Sequence, residues 1–280
     1  MAADPLVTDP SADARWPAAT PALVINSGGV ALPAVLHIPA GPGPHPVVVL
    51  LHGFPGHERN FDLAQALRRA GFAALVFHYR GSWGTGGTWS WTHVLEDSAA
   101  VTHAVRDPAI ARAHRLDARR LAVAGHSLGG FAALMTAAAD PSITAVVSVS
   151  GFDFATAAAA CDASLAQRAS YVTEFGSDLL PLRGTSGEAL VTEMEQAGPA
   201  WSLAALAPRL GTRPVLLIGT SRDPITPAAI HHQPVADAYQ ARPIKLEHHV
   251  FATDHALSDH RVALARTVVR FLSTYLPGQQ

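Results

Sequence analysis

The sequence predicts an α/β protein with a mostly parallel central sheet of about eight strands, helices on both faces, and a helical cap inserted late in the chain. Three observations lead there. Short all-apolar runs such as VVVLL at 47–51 recur along the chain, as strands buried on both faces of a parallel sheet require. Segments with helical spacing alternate with these runs, which implies right-handed crossovers. One long interval, 153–210, has helical patches but no strand run. Hydrophobic residues make up 49 % of the 280 and charged residues only 15 %, against an ordinary share of about a quarter. A large core is therefore expected.

In chain order, residues 1–21 are rich in Pro, Ala and Asp and read as a loose arm. Residues 22–26 and 30–38 read as two strands joined at Ser27-Gly28-Gly29, a hairpin signal. Pro/Gly punctuation at 40–46 precedes the buried strand 47–51, which ends in His52-Gly53-Phe54-Pro55-Gly56. Helical spacing through Phe61, Ala64 and Leu67 marks 61–70 and stops at Gly71. A second buried strand at 72–79 leads into a glycine- and tryptophan-rich loop, 80–91. Residues 93–106 are helical, with Val94, Ala100, Val101 and Val105 inward. Strand 120–124 and helix 129–139 flank a tight turn, and further apolar strands follow at 143–149 and 213–219. The segment 244–251 is a more polar strand, as an edge position tolerates, and 261–276 a closing amphipathic helix capped by Asp254 and Asp259.

A connection as long as 153–210 is rarely structureless in a compact domain. It reads as a cap over the carboxyl end of the sheet, where ligands bind in such folds, or as an ordinary surface insertion. The expected division is an arm (1–21), a core (22–152 and 211–280) and a cap (153–210).

The chain is organised around LAVAGHSLGGF at 121–131. A bare G-x-S-x-G arises easily by chance, but here a strand precedes it and a helix follows. Gly125 and Gly129 flank Ser127 where a side chain would obstruct so sharp a reversal, and the elbow lifts the hydroxyl off the backbone. A serine hydroxyl is a poor nucleophile without a base, and the base needs a third group to hold its tautomer. The elbow fold places them in the order serine, acid, histidine. Asp223 lies in a proline-stiffened loop just past strand 213–219 and is the candidate acid; the same residue also suits a turn cap. His255 follows the edge strand and is the candidate base. Asp153 is the rival acid, and His260, His248 and His249 the rival bases.

The developing oxyanion requires preorganised N–H donors. The amide of Leu128 directly follows the nucleophile, and Gly53 lets the Phe54 amide approach the same point. Trp83, Trp89 and Trp91 either line an apolar acyl or alcohol pocket or pack beneath their loop. Arg80 and Asp97 suit a structural pair better than a catalytic one.

Other classes are disfavoured. The net charge is −2 with no basic run, against nucleic acid or anionic membrane as partners. One cysteine, Cys161, excludes an internal disulfide and cysteine-built zinc sites. Fifteen histidines make groupings such as Asp254-His255-Asp259-His260 or His231-His232 common coincidences, so no metal is expected. No apolar stretch suffices for a signal peptide or a membrane span, so a cytoplasmic protein is expected.

Taken together, HGFPG, YRGSWGTGG, GHSLGG, SRDPITP and TDHALSDH, in this order, resemble the α/β-hydrolase superfamily. They are similar to its compact bacterial serine esterases and to the catalytic domain of prolyl-oligopeptidase-like peptidases. The resemblance runs from about Val47 to the C-terminus. It implies a triad of Ser127, Asp223 and His255, an oxyanion hole at Phe54 and Leu128, and no cofactor. The peptidase branch usually carries a large N-terminal propeller, for which this chain has no room. The expected reaction is cleavage of a small-molecule carboxylic ester; a peptidase or amidase, a thioesterase and a non-catalytic binder are the alternatives. Oligomeric state, monomer or dimer, is left open.

Overall fold

A computed structural model of the chain describes residues 4–277. Its centre is an eight-stranded sheet in the order β1-β2-β4-β3-β5-β6-β7-β8. Strands β1 (Ala22–Ser27) and β2 (Val30–His37) form the expected antiparallel hairpin, turning at Gly28 and Gly29 with φ of 55° and 79°. β2 pairs antiparallel with β4 (Ala73–Phe77). From β4 onward every pair is parallel, through β3 (His45–Leu51), β5 (Leu116–His126), β6 (Ala145–Val149), β7 (Pro214–Thr220) and β8 (Lys245–Phe251). Every residue of β3, β4 and β6 is buried, whereas β8 sits at the sheet's edge and is mostly half-buried, as its polar sequence anticipates.

The strands bury both faces. Alternate side chains point to opposite sides, so Val47, Val49 and Leu51 join one core and Val48 and Leu50 the other. The second core is closed by α1 (Phe61–Arg69) and α11 (Arg261–Tyr275), through Leu63, Leu67, Leu264 and Val268. The first is closed by α2 (Trp91–Ala104) and α4 (Leu128–Ala139), through Val94, Val101, Phe131 and Leu134. On α1 the inner stripe is Leu63, Ala64, Ala66 and Leu67; Phe61, expected inward, opens the helix and is 43 % exposed.

Three short helices carried too little apolar periodicity to be expected: α3 (Pro108–Ala113), and α9 (Ala228–His231) and α10 (Gln233–Gln240) after β7. α3 nonetheless carries a start signal, since the Asp107 carboxylate accepts from the amides of Ala109 and Ile110 ahead of Pro108 at the first turn. Asp254 and Asp259 do not cap α11. Its N-cap is His260, with no side-chain bond, while Asp254 accepts from the Ser258 amide and Asp259 from Thr253 and Arg222.

Between β6 and β7 the chain is helical: α5 (Phe154–Ala163), α6 (Leu165–Ser177), α7 (Gly187–Ala197), 3-10 turns at Gly198–Trp201 and Ala204–Leu206, and α8 (Ala207–Leu210). Arg168 ties α6 to α7 through Glu188 (2.6 Å) and Glu195 (2.8 Å). The Glu193 carboxylate of α7 accepts from the Trp91 and Thr92 amides, placing a negative charge on the N-terminus of α2 and pinning the insertion to the core. The N-terminal stretch is not loose where it is described. Arg69 donates to the Pro5 carbonyl, the Gly41 amide to that of Trp16, and Ala19 bridges Ile38. Residues 1–3 of that arm lie outside the described residues. Among the described residues no helix is long and apolar enough to cross a membrane.

Arg80 and Asp97 pair structurally, as expected. Asp97 is fully buried and accepts from the Arg80 amide (2.8 Å) and Nε (2.7 Å), while the same guanidinium reaches the exposed Glu96 at 2.7 Å. Breaking a buried pair strands a charge in low dielectric at a cost of about 3–5 kcal/mol, whereas a pair with an exposed partner contributes about 0–1 kcal/mol. In urea unfolding, Asp97→Ala is therefore expected to lower stability by about 3 kcal/mol or more and Glu96→Ala by under about 1 kcal/mol. Equal losses would contradict this reading.

Candidate active site

The turn between β5 and α4 is built by steric exclusion. A Cβ on Gly125 would lie 2.0 Å from the Gly129 carbonyl oxygen, and one on Gly129 would lie 1.9 Å from that of Leu51. With hydrogens there, the chain reverses sharply enough to hold Ser127 at φ 58°, ψ −121°. A non-glycine residue at positive φ is strained and persists only where its surroundings over-determine it. The Ser127 side chain opens into a cavity over the carboxyl end of the sheet. Ser127 is 8 % exposed, and among the described residues its hydroxyl meets no hydrogen-bond partner.

The loop after β3 packs directly on this serine. A Cβ on Gly53 would sit 3.2 Å from Ser127 Cβ and 3.7 Å from its Oγ, so position 53 must stay small for the loop to approach. His52 donates from Nδ1 to the Gly53 carbonyl at 2.8 Å and fixes that peptide's direction. Phe54 and Leu128 both line the cavity. Leu128 opens α4, where the first N–H groups have no intrahelical acceptor.

Asp223 and His255 come from the loops after β7 and β8 and meet at 2.7 Å, Nδ1 to Oδ2. The aspartate's other oxygen, Oδ1, accepts from the Ile225 and Thr226 amides at 2.8 and 3.0 Å, so the residue is a turn cap and a histidine partner at once. Oδ2 also accepts from the hydroxyls of Thr220 (2.8 Å) and Thr226 (2.6 Å). Burial would raise this carboxyl's pKa, but the hydrogen bond and charge of His255 outweigh it and hold the group well below the usual carboxylate range. An ionised carboxylate only accepts, so His255 Nδ1 carries a proton, and whenever the ring is neutral the lone pair lies on Nε2. His255 lines the same cavity as Ser127. The two side chains are not hydrogen-bonded to each other; in substrate-free sites such contacts are often long and tighten on binding.

The rival candidates lie elsewhere. Asp153 caps α5, accepting from the Thr156 and Leu203 amides at 3.1 Å each. His260 pairs with Asp259 at 2.8 Å and tilts against Phe251, and His248 and His249 stay in β8. His231 accepts from the Asp153 amide and stacks on Phe152. Cys161 is a free, buried thiol. Among the described residues no three His, Cys, Asp or Glu side chains group to hold a metal ion.

The tryptophans divide. Trp91 lines the cavity and donates its indole N–H to the Leu190 carbonyl. Trp89 is buried behind, against Tyr79 and Phe54, and Trp83 donates to the Pro55 carbonyl with Arg59 over its ring at 4.4 Å. These two brace the 52–56 loop from outside the cavity. The remaining aromatic wall, Phe152, Phe154 and Phe175, went unread in the sequence because the docking of α5 and α6 sets it. Two further supports were also missed. His126 donates from Nε2 to the His255 carbonyl at 2.7 Å, and the Thr220 and Thr226 hydroxyls hold Asp223. The threonines flank the aspartate at three residues on either side, a local spacing from which they could have been read.

A sheet of this order, a serine at a strained strand–helix elbow and an Asp–His pair over the same edge are the features of the α/β-hydrolase fold. The chain belongs to the alpha/beta hydrolase family, whose sequence profile matches residues 48–267. It is 32 % identical over 137 residues to 2,6-dihydropseudooxynicotine hydrolase of Paenarthrobacter nicotinovorans, covering 49 % of this chain and 36 % of that protein. It is 40 % identical over 137 residues to hydrolase LUC6 of a Fusarium species, covering 44 % and 31 %. The matches thus span about a third of these relatives' own lengths. An esterase from Pyrococcus furiosus superposes with a TM-score of 0.69 at 17 % identity, covering 96 % of this chain and 98 % of its own. Est1E from Butyrivibrio proteoclasticus gives 0.66 at 20 %, covering 91 % and 98 %. At those identities the likeness is one of fold.

Burial lowers His52 and His126 from an ordinary 6.5 to about 3, so both stay neutral in the native site. Below about pH 6.5 the unfolded chain takes up these protons and the native chain does not, so stability falls as pH drops toward about 3. The expected result is a Tm nearly level from pH 7.5 to about 6.5 that then declines toward pH 5, with a shallower decline in His126→Gln. A flat Tm across that window would contradict it.

Proposed function

We propose that the protein cleaves carboxylic esters through an acyl-enzyme on Ser127, with His255 as base and Asp223 as the acid that orients it. The observation that carries this reading is the 2.7 Å Asp223–His255 contact beside a cavity into which the unpartnered Ser127 hydroxyl opens. As Ser127 Oγ bonds to the ester carbonyl carbon, its proton passes to His255 Nε2. The negative charge on the tetrahedral oxygen is taken by the Phe54 and Leu128 amides, donors that need no reorganisation at the moment of reaction. The C–O bond to the alcohol then breaks, and the alcohol leaves with the proton from His255. Water, deprotonated by His255, attacks the acyl-enzyme and releases the acid as Ser127 recovers its proton.

In this reading residues 153–210 act as a cap over the site. Phe154, Phe175 and the two carboxylates of Glu174 and Asp178 come from that segment and line the cavity, which supports the assignment.

A short p-nitrophenyl ester tests the mechanism. Ser127→Ala is expected to lower kcat by roughly 10⁴-fold or more while the protein keeps its fold by circular dichroism. Asp223→Asn should cost roughly 10⁴-fold by leaving the imidazole in the wrong tautomer, and Asp153→Asn should leave turnover largely intact. Damage confined to Asp153→Asn would overturn the acid assignment. Aminoacyl-anilide or acyl-thioester turnover exceeding ester turnover would overturn the substrate class.

A further inference from the structure

The cavity beside Ser127 is apolar on most of its wall and negative at one place. Phe54, Trp91, Phe152, Phe154 and Phe175 line it, and the rings lock one another in position: Phe54 and Phe175 each stand edge-on to Trp91, at 5.2 and 5.3 Å, and Phe152 edge-on to Phe154 at 4.8 Å. The charged side chains in the lining, His255 aside, are Glu174 and Asp178; no Lys or Arg lines it. Neither carboxylate forms an ion pair or a hydrogen bond among the described residues, although other acidic side chains of the insertion, Glu188, Glu193 and Glu195, are all engaged.

Their place on the helix makes the missing counter-charge more telling. Glu174 is in the last turn of α6 and Asp178 is its C-cap, four residues on and therefore on the same face. A helix C-terminus carries partial negative charge, so both sit where the macrodipole opposes them as well as each other. Burial and the neighbouring Asp178 accordingly raise the Glu174 pKa. Two exposed carboxylates at its mouth and a helix C-terminus therefore bring negative potential to one aromatic-walled cavity, in whose lining His255 is the one side chain able to carry a positive charge. The buried, unpartnered Ser127 hydroxyl opens into the same space and marks where a ligand's reacting group would lie.

We propose that this cavity selects ester substrates whose chain carries an ammonium group, quaternary or protonated, held between the aromatic rings and the carboxylates of Glu174 and Asp178, and that it disfavours anionic chains. The proposal deepens the ester-hydrolase reading and rests on it for turnover, though not for binding. It also separates the substrate from coenzyme thioesters, whose phosphates would meet like charge at the entrance. A cation over a ring together with a half-exposed ion pair amounts to about a tenfold preference over an uncharged chain of the same shape.

Three p-nitrophenyl esters with acyl chains of matched length, ending in a trimethylammonium, a tert-butyl or a carboxylate group, test it. The readout is the ratio of kcat/KM values, in which any common loss of turnover cancels. The wild-type protein should favour the cationic over the neutral ester about tenfold and turn over the anionic one more slowly than either. That ratio should shrink with added salt and fall toward one in the double variant Glu174→Gln/Asp178→Asn. Equal turnover of the cationic and neutral esters, or a ratio unchanged in the double variant, overturns the proposal. If none of the three is hydrolysed, it is the ester reading that fails. Calorimetric titration of the wild-type protein with phenyltrimethylammonium then decides the cation site: binding that the double substitution weakens about tenfold sustains it, and no binding overturns it.

Discussion

The contact between Asp223 and His255 constrains everything around it. One carboxylate oxygen closes its own turn through the Ile225 and Thr226 amides; the other takes the imidazole proton and two threonine hydroxyls. With both oxygens committed, the carboxylate has little freedom to rotate, and the imidazole beyond it is held by the proton it donates. The tautomer follows from this. A histidine on an exposed loop would exchange its proton between nitrogens, whereas the neutral form of this one is held with its proton on Nδ1 and its lone pair on Nε2.

Parallel strand order is what makes the contact possible. β5, β7 and β8 run in the same direction, so the loops that follow them emerge at one edge of the sheet. Side chains then tie those loops laterally. Ser150 meets Thr220 at 3.0 Å between the ends of β6 and β7, and Thr220 continues to Asp223. His126, at the end of β5, donates to the backbone carbonyl of His255. The serine's neighbour thus holds the backbone of the histidine, and burial keeps that neighbour uncharged. A protonated ring would still donate there, but at the cost of a charge enclosed in the core.

The sequence was most legible where local rules dominate. All-apolar runs marked the buried strands, and the glycines around Ser127 marked the elbow because only glycine fits there. Asp223 and His255 were readable because each follows a strand closely, which places it in a loop at the carboxyl edge of the sheet. What lay beyond reach depends on how separate pieces dock. Trp83, Trp89 and Trp91 lie within nine residues, yet of the three Trp91, which opens α2, lines the cavity, a choice made by how the chain folds back over the 52–56 loop. Glu174, Phe175 and Asp178 read as an ordinary helical surface until α6 is laid over the sheet edge. The short helices after Asp107 and Pro227 were hidden for a different reason. A helix of one or two turns has too few positions to show a period.

In the proposed mechanism the Asp223–His255 pair makes one serine, and no other, a nucleophile. Treating the folded protein with a fluorophosphonate and locating the adduct by peptide mass spectrometry measures this most directly. A single phosphonyl group is expected on Ser127, formed in the wild-type protein and absent when His255 is replaced by alanine. No adduct, an adduct on another residue, or one that forms equally well without the imidazole would contradict it.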